Sequence, residues 1–160
     1  VETGIAYMAW FMDRSLFGMR VRDVVRSVDY ALSRADAGAK SVRVAGSGAG
    51  ALWALFAAAL DERIASVVAE HGLATYRSLT AVDRYTQTAA NFIPEILKHF
   101  DLPQVAGSLA GRELVLVSPV DPMKRPVELA AARRAYAWTE QAFRNAGAAE
   151  RFRIAGQFEL

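Results

Sequence analysis

The sequence contains no cysteine and only two histidines among its 160 residues. The absence of cysteine excludes disulfide bonds, thiolate metal sites and a cysteine nucleophile, although it does not indicate a compartment. The histidines have no His, Asp or Glu partner at metal-ligand spacing, so we expect no metal and no other cofactor. For a catalytic base His71 is the better candidate, because it follows a predicted strand while His99 lies in an amphipathic helical segment.

An excess of one charge and a long apolar run are also missing. Nineteen Lys and Arg residues against 17 Asp and Glu leave a net charge of +2, and the basic residues are scattered, which argues against a nucleic-acid partner. No apolar run reaches the roughly 18 residues of a membrane span, and the first residues lack the basic segment of a signal peptide. We therefore expect a soluble chain with no membrane partner. Its first residue is Val1 rather than Met, which suggests a piece of a longer polypeptide.

What is present is a composition that can bury a core, with 53% hydrophobic and 22% charged residues, and an alternation of strand and helix patterns. The predicted elements are an amphipathic helix spanning 21–32, a strand at 41–45, a helix at 51–60, strands at 64–69 and 113–117, a helix spanning 129–143, and a strand at 151–154. Between 73 and 111, prolines break the chain into short helical pieces.

This alternation predicts an α/β fold with about four parallel strands and helices covering both faces of the sheet. Turns that follow parallel strands meet at one edge of the sheet, where open α/β sheets bind their ligands. We therefore expect residues 46–51, 70–72 and 118–121 to lie together at one rim. The strand at 41–45 would be an unpaired edge, so the isolated chain should tend to associate.

A turn of small residues, Gly46-Ser47-Gly48-Ala49-Gly50-Ala51, joins the first predicted strand to the next helix. One interpretation is a nucleophile elbow, G-x-S-x-G, in which Gly46 and Gly50 fit the glycine positions and Gly48 takes the place of the nucleophile. Ser47 lies one residue early. A one-residue shift would turn its hydroxyl away from the rim and displace the oxyanion N–H, a contribution worth roughly 3 kcal/mol. Ser47 is thus either a displaced nucleophile or an ordinary turn serine.

The same turn also fits a dinucleotide-binding fingerprint. Gly46, Gly48 and Ala51 match G-x-G-x-x-G/A, and Glu70 ends the next strand about twenty residues later, where a ribose-binding acid is expected. Against this, any tight turn of this kind selects small residues. A second acid, Asp121, follows the third strand and could orient a histidine from the same rim, or it could be a turn aspartate before Pro122.

Several segments resemble the α/β-hydrolase superfamily, and the acetyl xylan esterase-like and prolyl oligopeptidase-like branches in particular. They are residues 13–20, 23–30, 40–46, 91–103 and 113–121. The resemblance implies carboxylic ester hydrolysis by acyl transfer, with a small ester or an acylated carbohydrate as the substrate. Carried over to this sequence, it makes Gly46 and Gly50 the elbow glycines, Gly48 the occupant of the nucleophile position and Asp121 the triad acid.

The sequence also departs from that family. The nucleophile is absent, no histidine follows the strand at 151–154, and the early strands of the fold are missing. The chain at 1–160 therefore looks like a single domain that is the C-terminal half of a hydrolase, with upstream and downstream parts of a longer chain as its partners. We expect impaired catalysis, and two alternatives stay open: a non-catalytic glycan- or ester-binding module and a dinucleotide-binding domain.

Overall fold

The computed structural model describes residues 2–34 and 38–156. Its first half contains helix α1 (Glu2–Phe11), helix α2 (Leu16–Ser33), strand β1 (Val42–Ser47), helix α3 (Ala49–Leu60) and strand β2 (Ile64–Glu70). Its second half contains helix α4 (Leu102–Gly107), strand β3 (Glu113–Val117), helices α5 (Leu129–Ala135) and α6 (Ala137–Asn145), and strand β4 (Phe152–Ala155). Among these described residues no helix is both long and apolar enough to cross a membrane.

The four strands form one parallel sheet in the order β1-β2-β3-β4, which confirms the predicted α/β fold. The register aligns Ser47 with Glu70, Glu70 with Val117, and Val117 with Ala155. The carboxyl ends of all four strands therefore lie at a single rim, and the turns that follow them begin there.

The core lies on one face of this sheet. Alternate strand residues point into it, including Val67 of β2, Leu116 of β3 and Ile154 of β4. On the opposite face the outer strands leave Arg43, Ala45 and Arg153 exposed. On that opposite face β3 buries Val115 and Val117, so both faces of the sheet are covered at its centre, as the sequence predicted, while the outer strands β1 and β4 stay partly open.

Two helical regions differ from the prediction. Residues 3–11 belong to a segment where apolar residues show no clear period, and they lie in α1, which buries Ala6 and Ala9 and leaves Phe11 91% exposed. The predicted single helix through 129–143 is interrupted at Tyr136, which ends α5 and caps α6. The buried Tyr136 hydroxyl donates a hydrogen bond of 2.9 Å to the carbonyl of Ala74. A contact with a distant loop therefore accompanies the break.

The segment between β2 and β3 is irregular, as predicted, with three short 3-10 helices (Arg77–Ala81, Ala89–Asn91 and Ile96–Lys98) before α4. Asp101 organises it. The Asp101 carboxylate accepts hydrogen bonds from the backbone N–H groups of Tyr76 and Arg77 at 2.6 and 3.1 Å, and it also caps α4. This carboxylate holds the irregular segment in place, because it accepts hydrogen bonds from backbone N–H groups that have no partner in a strand or a helix.

Candidate functional site

The turn between β1 and α3 has the geometry of a strained strand-to-helix elbow. Gly48 is the residue before α3 and has a φ of 58° and a ψ of −118°, a conformation that side chains rarely adopt. Its N–H donates to the carbonyl of Glu70 at 2.8 Å, which ties the turn to the neighbouring strand. A nucleophile elbow places its central residue in such a sharp turn, and here that residue carries no side chain.

The two glycines that flank Gly48 play different parts. A Cβ added to Gly46 would lie 2.2 Å from the carbonyl oxygen of Gly50, so β1 and α3 approach too closely for any side chain. A Cβ added to Gly50 would meet no heavy atom within 4 Å. Of these two positions, only position 46 requires glycine, because the backbone of α3 lies too close for a side chain there. Such a close approach is what an elbow glycine is expected to allow.

A cavity of about 520 Å³ opens beside this turn. Ser47, Gly48 and Ala49 line it from β1 and α3, and His71 lines it from the turn after β2. The predicted meeting of the 46–51 and 70–72 turns at one rim is therefore observed. Further lining comes from the loop after β3 and from the irregular segment after β2, in a volume that suits a small organic ligand.

Ser47 is the last residue of β1, and its side chain is exposed. It lies in register with Glu70 of β2 and forms part of the cavity wall. The structure thus brings Ser47 to the rim cavity, beside Gly48. A role for its hydroxyl as a displaced nucleophile stays a prediction.

His71 has a positive φ of 51° and follows β2 directly. Its backbone N–H donates to the carbonyl of Val117 at 2.9 Å, and its Nδ1 lies 3.9 Å from a carboxylate oxygen of Glu70. Both side chains are about 40% exposed. The histidine is therefore the titratable ring that this rim offers to the cavity, while His99 follows a 3-10 helix in the irregular segment.

Asp121 lies in the turn after β3, and its carboxylate is fully engaged there. Oδ1 accepts hydrogen bonds from the backbone N–H groups of Met123 and Arg125 at 2.8 and 2.9 Å. Oδ2 accepts one from Nε of Arg125 at 2.9 Å and forms an ion pair with Nη2 of the same residue at 2.8 Å. Burial raises the pKa of Asp121, but these hydrogen bonds outweigh it and hold the pKa below its ordinary value. Within the described ranges, the carboxylate forms no hydrogen bond with a histidine. Its assignment as a triad acid stays a prediction.

Two residues of the cavity wall escaped the sequence analysis. Asn91 is 4% exposed, and its Nδ2 donates to Oε1 of Gln87 at 3.3 Å, but its Oδ1 has no hydrogen-bond partner in the structure. Lys124 follows the Asp121 turn with a φ of 63°. Asn91 begins the 91–103 segment of the family resemblance, but neither residue belongs to a motif with a chemical role, and each reaches the cavity through the folding of its loop.

Four of the nine described residues with positive φ lie at this rim. Gly48 follows β1, His71 follows β2, and Ser118 and Lys124 follow β3, with φ between 44° and 63°. Residues in such conformations are strained and tend to cluster at functional sites, where the surrounding structure holds them. The rim cavity is therefore the best candidate site. The dinucleotide interpretation, with Gly46, Gly48, Ala51 and Glu70, is not tested by this geometry and stays a prediction.

No protein-family model matches the chain, and no curated protein matches it. Solved structures do. A proposed acetyl xylan esterase from Bacteroides fragilis has a TM-score of 0.76 and 15% identity, with 95% of this chain and 39% of that chain covered. A methylesterase has a TM-score of 0.64 and 16% identity, with 92% of this chain and 32% of that chain covered. An esterase from Pyrococcus furiosus has a TM-score of 0.54 and 12% identity, with 86% of this chain and 51% of that chain covered.

At these identities the likeness shows the fold. The chain shares the α/β fold of these esterases, which agrees with the fold that the sequence resemblance implies, and it spans about two fifths of the length of the first of these structures.

Proposed function

We propose that the chain is part of a domain related to carboxylic ester hydrolases, that its rim cavity binds a small ester or an acylated carbohydrate, and that covalent catalysis is impaired. The observation that carries this proposal is Gly48, which has a φ of 58° in the elbow between β1 and α3, at the wall of the cavity. The elbow conformation is present, and the side chain that would attack an ester is not. The esterase-like fold supports the ester as the ligand class.

Acyl transfer needs a hydroxyl nucleophile, a base that takes its proton and N–H donors for the oxyanion. Ala49, the residue after the elbow position, lines the cavity, and we expect its N–H to contact an ester carbonyl. Gly48 can form no acyl-enzyme intermediate. The chain therefore keeps groups that bind an ester and lacks the group that would be acylated at this position.

We place the remaining roles in the rest of a longer chain. Further strands and a histidine would complete the sheet and the triad, with Asp121 as the triad acid. An ionised carboxylate has about four lone-pair sites, and Asp121 accepts three hydrogen bonds and forms one further ion-pair contact with Nη2 of Arg125, at 2.8 Å. A histidine that binds Asp121 would therefore compete with Arg125 for Oδ2.

The nucleophile is tested with a fluorophosphonate probe on the wild-type chain, Ser47→Ala and Gly48→Ser. We expect no label on the wild type. A Cβ at position 48 meets no heavy atom within 4 Å, so a serine there is strained by the φ of 58° but has room, as in a nucleophile elbow. We expect Gly48→Ser to gain label in a cavity that already holds His71. Wild-type label that Ser47→Ala removes would contradict the proposal and identify Ser47 as a displaced nucleophile.

Binding is tested by thermal unfolding in the presence of acetylated xylo-oligosaccharides or triacetin, with the deacetylated compounds as matched controls. A ligand that binds only the folded state raises the melting temperature. We expect a rise with the acetylated compounds, without release of acetate. Unchanged melting temperatures at millimolar ligand would refute ester binding, and an equal rise with the deacetylated sugars would indicate a glycan-binding module instead.

A further inference from the structure

We propose that the chain forms a symmetric dimer in which helix α1 of one copy packs against α1 of a second copy. This goes beyond the proposed function and does not depend on it, since it concerns the apolar surface of α1 rather than the ligand of the rim cavity. Three features of α1 carry it: the side chains that it exposes, the size of the surface that they form, and the arrangement of charge around them.

The first feature is the side of α1 that faces solvent. The two residues that the helix buries are small, Ala6 and Ala9, and they lie about one turn apart on one side. The large apolar side chains are exposed instead, by 49% to 91%, and we call them the open α1 face: Ile5, Tyr7, Met8, Phe11 and the following Met12. A ten-residue helix that is apolar on all sides is too short to span a membrane and is normally buried in protein.

The second feature is the size of the open α1 face. An aromatic side chain buries roughly 150–250 Å² when it is fully covered. Five large side chains at the observed exposures therefore present on the order of 600 Å² of apolar surface to solvent, which is the upper end of what monomers expose. Two copies that pair through this face would bury on the order of 1,200 Å² together, which reaches the range of roughly 1,200–2,000 Å² found in stable interfaces.

The third feature is the charge of α1. Its only charged residue is Glu2, which lies outside the open α1 face and 3.7 Å from Arg20 of α2. A two-fold axis brings the same surface of both copies together, so a face that pairs with itself must not place like charges there. The open α1 face meets this condition. A helix that lies on a lipid surface carries Lys and Arg beside its apolar side, and α1 has neither, which favours a second copy over a membrane.

The position of Met8 makes the proposal testable at one residue. Met8 lies near the middle of the open α1 face, which extends from residue 5 to residue 12, and its side chain is 64% exposed. Two identical helices that pair in antiparallel direction about a two-fold axis bring their midpoints together. We therefore expect Met8 of one copy to lie against Met8 of the second copy.

Sedimentation equilibrium of the wild-type chain at micromolar concentrations should show a dimer. Met8→Glu and Met8→Arg should each weaken association at least about tenfold, because each places two like charges at the axis. An equal mixture of the two variants should restore the dimer, because opposite charges then meet, and an unfolded variant could not do this. Tyr30→Glu is the matched control, since Tyr30 is 66% exposed and lies ten residues beyond Arg20 on α2, about 15 Å along the helix.

A cross-link tests the geometry separately. The chain contains no cysteine, so a single introduced thiol can form a disulfide only with a second copy. We expect Met8→Cys to give a disulfide-linked dimer on mild oxidation and Tyr30→Cys to stay largely monomeric under the same conditions. Equal cross-linking of the two variants would contradict the proposed pairing of α1 with α1.

Three results would overturn the proposal. A wild-type chain that stays monomeric would do so, and binding of that monomer to phosphatidylcholine vesicles would identify a lipid surface as the occupant instead. A dimer that neither Met8 variant weakens would point to another surface, such as the unpaired edge of β1. Loss of the dimer in both Met8 variants without recovery in their mixture would exclude the symmetric contact at Met8.

Discussion

Replacement of Gly46 by alanine should strongly destabilise the fold. The new Cβ would lie 2.2 Å from the carbonyl oxygen of Gly50, 2.4 Å from its carbonyl carbon and 2.8 Å from the N of Ala51. All three are backbone atoms in the first turn of α3, so no change of side-chain rotamer can relieve the overlap. Either α3 must move away from β1 or the turn must rebuild.

The size of the effect follows from what such a movement disturbs. Restoring ordinary contact requires a shift of about 1 Å, and α3 packs in the core with fully buried side chains such as Ala57 and Ala58. Inserting one methylene into a packed core costs about 1–3 kcal/mol and sometimes more. Because this overlap is with backbone, we expect a loss of at least about 3 kcal/mol in the free energy of unfolding.

Gly50→Ala, four positions later and in the first turn of α3, is the matched control within the same motif. Its Cβ meets no heavy atom within 4 Å, and alanine favours a helix over glycine by up to about 1 kcal/mol. Urea unfolding followed by circular dichroism at 222 nm measures both variants. We expect Gly46→Ala to unfold at much lower urea and Gly50→Ala to match or exceed the wild type. A Gly46→Ala variant within about 1 kcal/mol of wild type would refute the close-approach argument, since overpacking of this kind costs more than that.

Two further predictions concern Tyr136 and Asp121. Tyr136→Phe should lower the free energy of unfolding, measured by urea titration, by about 1–2 kcal/mol, because it leaves the carbonyl of Ala74 without its donor. Tyr30→Phe, at a 66% exposed position, is the control and should have no effect. Equal effects of the two substitutions would contradict this prediction. Asp121→Asn should be less stable than the wild type at pH 7, and the difference should shrink as the pH falls from about 5 to 3. The folded-state pKa of Asp121 is lowered, so its stabilisation is present above the unfolded pKa and is lost on protonation; a difference that does not change with pH would show that the charge is irrelevant.

The strands and most helices could be predicted because their patterns are local. The 113–117 strand was expected at the residues where β3 lies, and β1 extends only two residues beyond its predicted end. The parallel direction of the strands follows from the same alternation, since a helix between two strands of a sheet forms a crossover connection that joins them in parallel. The α1 helix was missed because apolar residues occur on all its sides, which leaves no helical period to detect.

The candidate site was predictable in part. The small residues at 46–51 and the histidine at 71 follow strands, and strand ends meet at one rim, so local patterns were enough to expect Ser47, Gly48 and His71 near each other. Asp121 also follows a strand, but its contacts with Arg125 depend on how the next turn closes. Strand position predicts where a residue lies, and it does not predict which donors reach its side chain.

The sequence by itself determined the layered α/β architecture, the position of the rim and the absence of a side chain at Gly48, because these depend on periodicity and on residue type. Only the tertiary structure decided that Gly46 packs against Gly50, that Tyr136 interrupts a helix to reach Ala74, and that Asn91 and Lys124 share a cavity with α3. Such contacts join residues distant in sequence, and their free energies depend on distances of a few ångströms that no local pattern encodes.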